Sequence, residues 1–142
     1  MQSYPFAEDG KKKWPKSHTT VKQLIIEHAS KLQTSVAGDL ASRFKSGLPF
    51  SLTLDEWTSL KNGKYLNINA HHRDGFYDCL GLSRAEGSIP APKLKDLVEK
   101  HIGLFSVDLY HVVAMTTDGA SLMEAFGKLI PCIHLKCQCQ NP

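Results

Sequence analysis

Two aspartates that lie far apart in the chain each follow an apolar stretch. Apolar and polar residues alternate over residues 50–55, and this period of two predicts a strand with one apolar face that ends at Asp55. A more continuous apolar run over residues 110–117 precedes Asp118 and predicts a second strand, covered on both faces. If the two strands are parallel neighbours, we expect both carboxylates at the same edge of one sheet.

Carboxylates that converge in this way suit a divalent cation. Two nearby carboxylates repel each other and raise each other's proton affinity, and Mg²⁺ relieves that repulsion while keeping room for phosphate oxygens. Such a group suits two-metal phosphodiester chemistry. The competing interpretation is that each aspartate caps the helix or turn that follows it. As a pair, Asp55 and Asp118 predict a site for Mg²⁺ or Mn²⁺.

Three blocks of the sequence resemble the catalytic domain of hAT-superfamily DNA transposases. They are residues 52–59 (Leu-Thr-Leu-Asp-Glu-Trp-Thr-Ser), 64–69 (Lys-Tyr-Leu-Asn-Ile-Asn) and 117–121 (Thr-Asp-Gly-Ala-Ser). The resemblance covers most of the chain after the first 16 residues. It implies a ribonuclease-H-like fold, DNA as partner, a nuclear location and a metal-dependent site. Asp55 and Asp118 match the first two acids of the family's Asp-Asp-Glu triad.

The third acid of the triad has no clear match. The acids near the proposed site are Glu56, Asp74, Asp78 and Glu124, and neither Glu56, on the opposite strand face, nor Glu124, deep in a helix, is an obvious substitute. Family members continue with a helix that carries the glutamate and a dimerising region. We therefore expect a partial ribonuclease-H-like domain over residues 48–142, incomplete at its C-terminus, that does not cleave DNA alone.

Two further functions stay open. The first is a non-catalytic descendant that binds DNA through a basic arm (Lys11, Lys12, Lys13 and Lys16), or that binds a protein or itself through uncovered sheet. The second is a phosphatase resembling the haloacid dehalogenases, with Asp55 as nucleophile. That loop normally carries a second aspartate two residues on, and Trp57 stands there instead.

The order of patterns along the chain predicts an α/β fold. A flexible arm over residues 1–18 and an amphipathic helix over residues 19–47 precede three strands, a helix, a strand, a helix and a fifth strand. Asn62-Gly63 predicts a type I′ hairpin turn, so the first strands should be antiparallel. The whole is a mixed five-stranded sheet, with three antiparallel strands and then parallel additions, as in ribonuclease H, preceded by a long N-terminal helix.

Several histidines and cysteines have metal-ligand chemistry but unsuitable spacing. Adjacent strand residues point to opposite faces, so His71 and His72 should not bind one ion together. The cluster of Cys132, His134, Cys137 and Cys139 also mixes strand faces, and we expect buried thiols there rather than zinc. His28 falls on the apolar stripe of the first helix, which we expect to cover the sheet, so it should be packed.

The composition indicates one globular domain. The chain has 142 residues and is 42% hydrophobic, enough for a core. No apolar run approaches a membrane span, and the N-terminus is too polar for a secretory signal, so we expect an intracellular protein. The net charge is +3, and the excess of basic residues lies in the first 50 residues, a balance that permits contact with nucleic acid.

Overall fold

The computed structural model describes residues 17–85 and 87–137. Within them the helices are α1 (His18–Lys45), α2 (Ala91–Gly103) and α3 (Ser121–Gly127), and the strands are β1 (Phe50–Thr58), β2 (Lys64–His72), β3 (Tyr77–Ala85), β4 (Val112–Thr117) and β5 (Ile133–Lys136). A short 3₁₀ turn precedes β4. Over these same residues, no helix combines the length and the apolar character that crossing a membrane requires.

The chain divides within α1 into two compact units, Met1–Leu32 and Gln33–Pro142. In the described part of the first unit the apolar stripe of α1 is exposed, and Ile25 is 63% exposed. His28 is exposed too, so the expectation that it packs in a core is wrong. Helical periodicity decides which residues share a face, but it does not decide whether anything covers that face.

The second unit contains a five-stranded mixed sheet in the order β3-β2-β1-β4-β5. β1, β2 and β3 are antiparallel neighbours, whereas β4 is parallel to β1 and β5 is parallel to β4. This sheet and the helix that precedes it confirm the predicted α/β class, the mixed sheet of five strands and the leading helix.

The hairpin between β1 and β2 has a longer loop than the sequence suggests. The ladder closes at Thr58 and Lys64, so the loop holds five residues, and the Ser59 amide donates to the Gly63 carbonyl at 2.8 Å. Asn62 has a φ of 57°, but Gly63 is not left-handed. A type I′ turn needs positive φ at both positions, so that part of the prediction is wrong, although the antiparallel pairing is correct.

The core lies on one face of the sheet. Leu52 pairs with Ala70 on β2 and with Met115 on β4, and all three are fully buried. The second half of α1, α2 and α3 pack against them through Leu40, Leu94, Val98, Ile102, Met123 and Phe126. β4 is not covered on both faces as predicted, because Val113 is 48% exposed.

The opposite face of the sheet, which we call the open face, carries half-buried and exposed side chains. Its residues are Ser51, Thr53, Asp55 and Trp57 of β1, Tyr65, Asn67, Asn69 and His71 of β2, Tyr77, Cys79, Leu82 and Arg84 of β3, Ala114 and Thr116 of β4, and Ile133 and Leu135 of β5.

Candidate functional site

The parallel pairing of β1 with β4 sets the positions of the two predicted acids. The register pairs Ser51 with Ala114 and Thr53 with Thr116, where the ladder ends. Continued by two residues, the same register puts Asp55 opposite Asp118. Neighbouring strands lie about 4.8 Å apart, so this extension would make the two backbone positions neighbours, two residues past the last pair of the ladder.

By the same extension, Asp55 and Asp118 would share a face. Residues that pair across a ladder point to the same side of a sheet, and Thr53 and Thr116 belong to the open face. Asp55 is exposed and Asp118 is half-buried. β1 does not end at Asp55 as predicted, because its pairing with β2 continues to Thr58. Asp55 therefore lies within β1, two residues past the end of the parallel ladder.

Asp118 is held by the turn that leads into α3. Its Oδ1 accepts a hydrogen bond from the Ala120 amide at 3.1 Å, and its carbonyl oxygen accepts one from the Thr117 hydroxyl at 2.9 Å. The turn role weighed from the sequence is therefore real for Asp118. It does not exclude a ligand, because an ionised carboxylate has about four lone-pair sites.

Asn67 is a third oxygen donor in the same row. It pairs with Asp55 across the β1–β2 ladder, it is half-buried, and its Oδ1 accepts a hydrogen bond from the Cys79 thiol at 3.9 Å. Two carboxylates and an amide oxygen are hard donors of the kind that Mg²⁺ and Mn²⁺ prefer. The donor chemistry of Asp55, Asp118 and Asn67 therefore fits the predicted metal.

The four other acids named from the sequence each have a basic partner. Glu56 pairs with Lys64 at 2.9 Å, Asp74 with Arg43 at 2.6 Å, Asp78 with His72 at 2.9 Å, and Glu124 with Lys136. The hydrogen bond from Arg43 lowers the pKa of Asp74, and the one from Lys136 lowers the pKa of Glu124. Over residues 17–85 and 87–137, no three His, Cys, Asp or Glu side chains form a metal-binding group.

An aromatic stack lies one row beyond the two acids on the open face. Trp57 and Tyr65 pair across the ladder, and their rings stack with centroids 4.8 Å apart and 20° between their planes. The stack lines an open groove of about 700 Å³, which Lys61 and Arg84 also line. The sequence showed both aromatic residues without indicating that they touch, because contact depends on the hairpin register.

Within residues 17–85 and 87–137, the histidines and cysteines form no group of three that could hold a metal ion. His72 hydrogen-bonds Asp78 and His71 hydrogen-bonds Thr53, each at 2.9 Å, so the two rings lie on opposite faces as predicted. His72 is buried, whereas His71 is exposed.

In the C-terminal cluster, burial raises the pKa of the Cys132 thiol, whereas Cys137 is exposed, which corrects the expectation of a buried thiol there.

Some predicted residues lie outside the described ranges. They are the basic residues Lys11, Lys12, Lys13 and Lys16, together with Cys139. In comparisons with known proteins, the chain matches no protein-family model and no curated protein.

Proposed function

We propose that this chain is part of, or derives from, a hAT-like DNA transposase and holds Mg²⁺ or Mn²⁺ between Asp55 and Asp118 on a ribonuclease-H-like sheet. The observation that carries the proposal is the parallel β1–β4 register, which pairs Thr53 with Thr116 and, continued by two residues, would make the two acids neighbours on the open face. The strand order, with three antiparallel strands and two parallel additions, supports the ribonuclease-H-like assignment because it is the order that the resemblance implies.

At this edge of the sheet, the protein would hold the cation and the cation would stabilise charge on the phosphoryl group. When bound, such a cation polarises phosphoryl oxygens and offsets the charge that develops during transfer. Asp55 and Asp118 would hold it, and the Asn67 amide oxygen would add a neutral donor. The triad's third acid has no counterpart among the described residues near this edge, so we expect cation binding without cleavage of DNA by this chain alone.

Titration with Mn²⁺ tests the proposal directly. The free Mn²⁺ signal in electron paramagnetic resonance measures binding to the wild-type chain, to Asp55→Asn and to Asp118→Asn. We expect each substitution to weaken binding at least about tenfold, since each removes a charged ligand. Asp96→Asn is the matched control, because Asp96 is an exposed carboxylate on α2, which packs on the covered face. Equal affinity in all four proteins would refute the metal site.

A second candidate function is a non-catalytic binding module, which the apolar side chains of the open face favour. Leu82 and Tyr77 on β3 and Leu135 on β5 are 53%, 68% and 50% exposed, so both edge strands of the sheet present apolar side chains of the kind found at association surfaces. Self-association is its simplest form. Sedimentation velocity over a hundredfold range of concentration should then show a dimer that Leu135→Lys abolishes and that Leu104→Lys, an equally exposed site beyond α2, leaves unchanged. A monomer throughout would contradict this form.

A further inference from the structure

A hydrogen-bonded chain runs from β5 to the backbone of Asp118. The Thr117 hydroxyl lies 2.9 Å from the Asp118 carbonyl oxygen and 2.8 Å from Nε2 of His134. A carbonyl oxygen can only accept, so the hydroxyl donates its one proton there. The hydroxyl must then accept from His134, which therefore carries its proton on Nε2.

This series of hydrogen bonds is buried at Thr117, the last residue of β4. Thr117 is 2% exposed, and its carbonyl oxygen also accepts a hydrogen bond from the Cys137 amide at 2.8 Å. A buried hydroxyl without a partner is costly, and the Thr117 hydroxyl has two partners, His134 and the Asp118 carbonyl. These contacts hold the backbone carbonyls of Thr117 and Asp118, and the Ala120 amide holds the Asp118 carboxylate.

Gly127 makes room for the imidazole. A Cβ on Gly127 would overlap the His134 ring, with Nδ1 as its nearest atom. Gly127 ends α3 with no positive φ, so its backbone conformation does not require glycine. Glycine in a helix is less favourable than alanine by about 1 kcal/mol. The clearance for the His134 ring is the physical reason we find for glycine at this position.

We propose that His134 is a positioning residue that acts through Thr117 to hold Asp118 in the geometry for metal binding. The inference rests on the proposed function, because it takes Asp118 as a ligand. His134 itself does not touch the metal. Residues behind a ligand typically change metal affinity about 10- to 100-fold when they are removed, because a ligand that is already oriented loses less freedom on binding.

Substitutions at His134 and Gly127 test this role by their effect on Mn²⁺ affinity at fixed pH. His134→Leu should weaken Mn²⁺ binding about 10- to 100-fold. His134→Gln should recover most of the affinity, because its Nε2 can donate to Thr117. Gly127→Ala should weaken binding as His134→Leu does, and combining the two should weaken it no further, since both act by moving the same ring.

The matched control is His101→Leu. His101 is also a half-buried histidine, and its Nε2 hydrogen-bonds the Leu80 carbonyl oxygen at 2.9 Å, but it lies on α2. We expect this variant to lose stability without losing Mn²⁺ affinity. If His134→Leu and His101→Leu weaken binding equally, or if neither does while the wild type binds, the positioning role is wrong and the metal site stands.

Hydrogen exchange of the Ala120 amide separates the two proposals. This amide donates to the Asp118 carboxylate, so loosening Asp118 should speed its exchange whether or not metal is present. Suppose that the wild-type chain binds no Mn²⁺ and that the Ala120 amide still exchanges faster in His134→Leu than in the wild type. That result would support the positioning of Asp118 and refute the metal site. Unchanged exchange in His134→Leu would overturn the positioning role.

Discussion

The covered face and the open face are built from alternate residues of the same strands, yet they differ in chemistry. Leu52, Ile68 and Met115 are fully buried on the covered face, whereas Thr53, Asn69 and Thr116 stand beside them on the open face. The covered face is mainly apolar, with a few buried polar side chains such as His72 and Thr117, and it holds the unit together. The open face mixes acids, amides, aromatic rings and leucines. Stability and candidate function are therefore separated by a single residue step along each strand.

Truncation of one leucine on each face should produce the largest contrast. Leu52 is fully buried and Leu82 is 53% exposed, and both lie in strands. Leu52→Ala should lower the free energy of unfolding by about 2–5 kcal/mol, because it leaves a cavity. Leu82→Ala should change it by less than about 0.5 kcal/mol. Urea denaturation measures both, and a comparable loss from Leu82→Ala would mean that the open face is covered in solution.

The adjacent residues His71 and His72 compare the open face with the covered face using the same residue type. The His72 side chain is 2% exposed and bonds Asp78, whereas His71 is exposed and bonds Thr53. His72→Ala should cost about 1–3 kcal/mol, since it removes a buried hydrogen bond, and His71→Ala should cost less than about 0.5 kcal/mol. Unfolding at pH 8 measures the difference, and similar losses would break the distinction between the faces.

The Trp57–Tyr65 stack tests whether the open face contributes any packing of its own. A double-mutant cycle with Trp57→Ala and Tyr65→Ala should give a coupling energy of about 0.5–1.5 kcal/mol, as expected for an offset aromatic pair. Thermal unfolding of the four proteins supplies the cycle. A coupling energy near zero would mean that the rings do not stay stacked in solution.

The smallest effect concerns acid stability at the β2–β3 turn. Because Arg43 hydrogen-bonds Asp74 and lowers its pKa, the unfolded chain binds this proton more readily than the folded chain does. The pair therefore stabilises the fold above about pH 4 and loses that contribution as the pH falls through the folded pKa. Asp74→Asn should flatten the decline of the unfolding midpoint between pH 5 and 2, relative to Asp96→Asn.

The β1–β2 hairpin shows which part of the strand register could be predicted from the sequence. A two-residue Asn-Gly loop would pair Lys61 with Lys64 and put Leu54 opposite His71, which sends the apolar residues of β2 away from those of β1. The observed five-residue loop pairs Leu54 with Ile68. Register follows the buried face when the turn preference and the apolar pattern disagree. The pattern predicted the covered face correctly, and the turn motif misplaced Asn67 relative to Asp55.

The other wrong predictions, the end of β1 and the burial of the α1 stripe, also depend on contacts between elements distant in sequence. The length of β1 depends on its pairing with β2 beyond Asp55, and the apolar stripe of α1 does not reveal that its first half is exposed. The acids of the candidate site were found because each follows an apolar strand pattern. The links from His134 to Thr117 and from Gly127 to His134 join separate elements, and no local sequence signal marks them.

A sheet that is packed on one side has a thermodynamic consequence. Because the open face and the first half of α1 stay hydrated in the folded chain, unfolding exposes less new apolar surface per residue than in a typical domain. The heat capacity of unfolding should then fall below the usual value of about 12–15 cal/mol/K per residue, and the stability curve should be correspondingly flat with temperature. A partner that covers the open face would bury this apolar surface on binding, so the heat-capacity change of association should be negative.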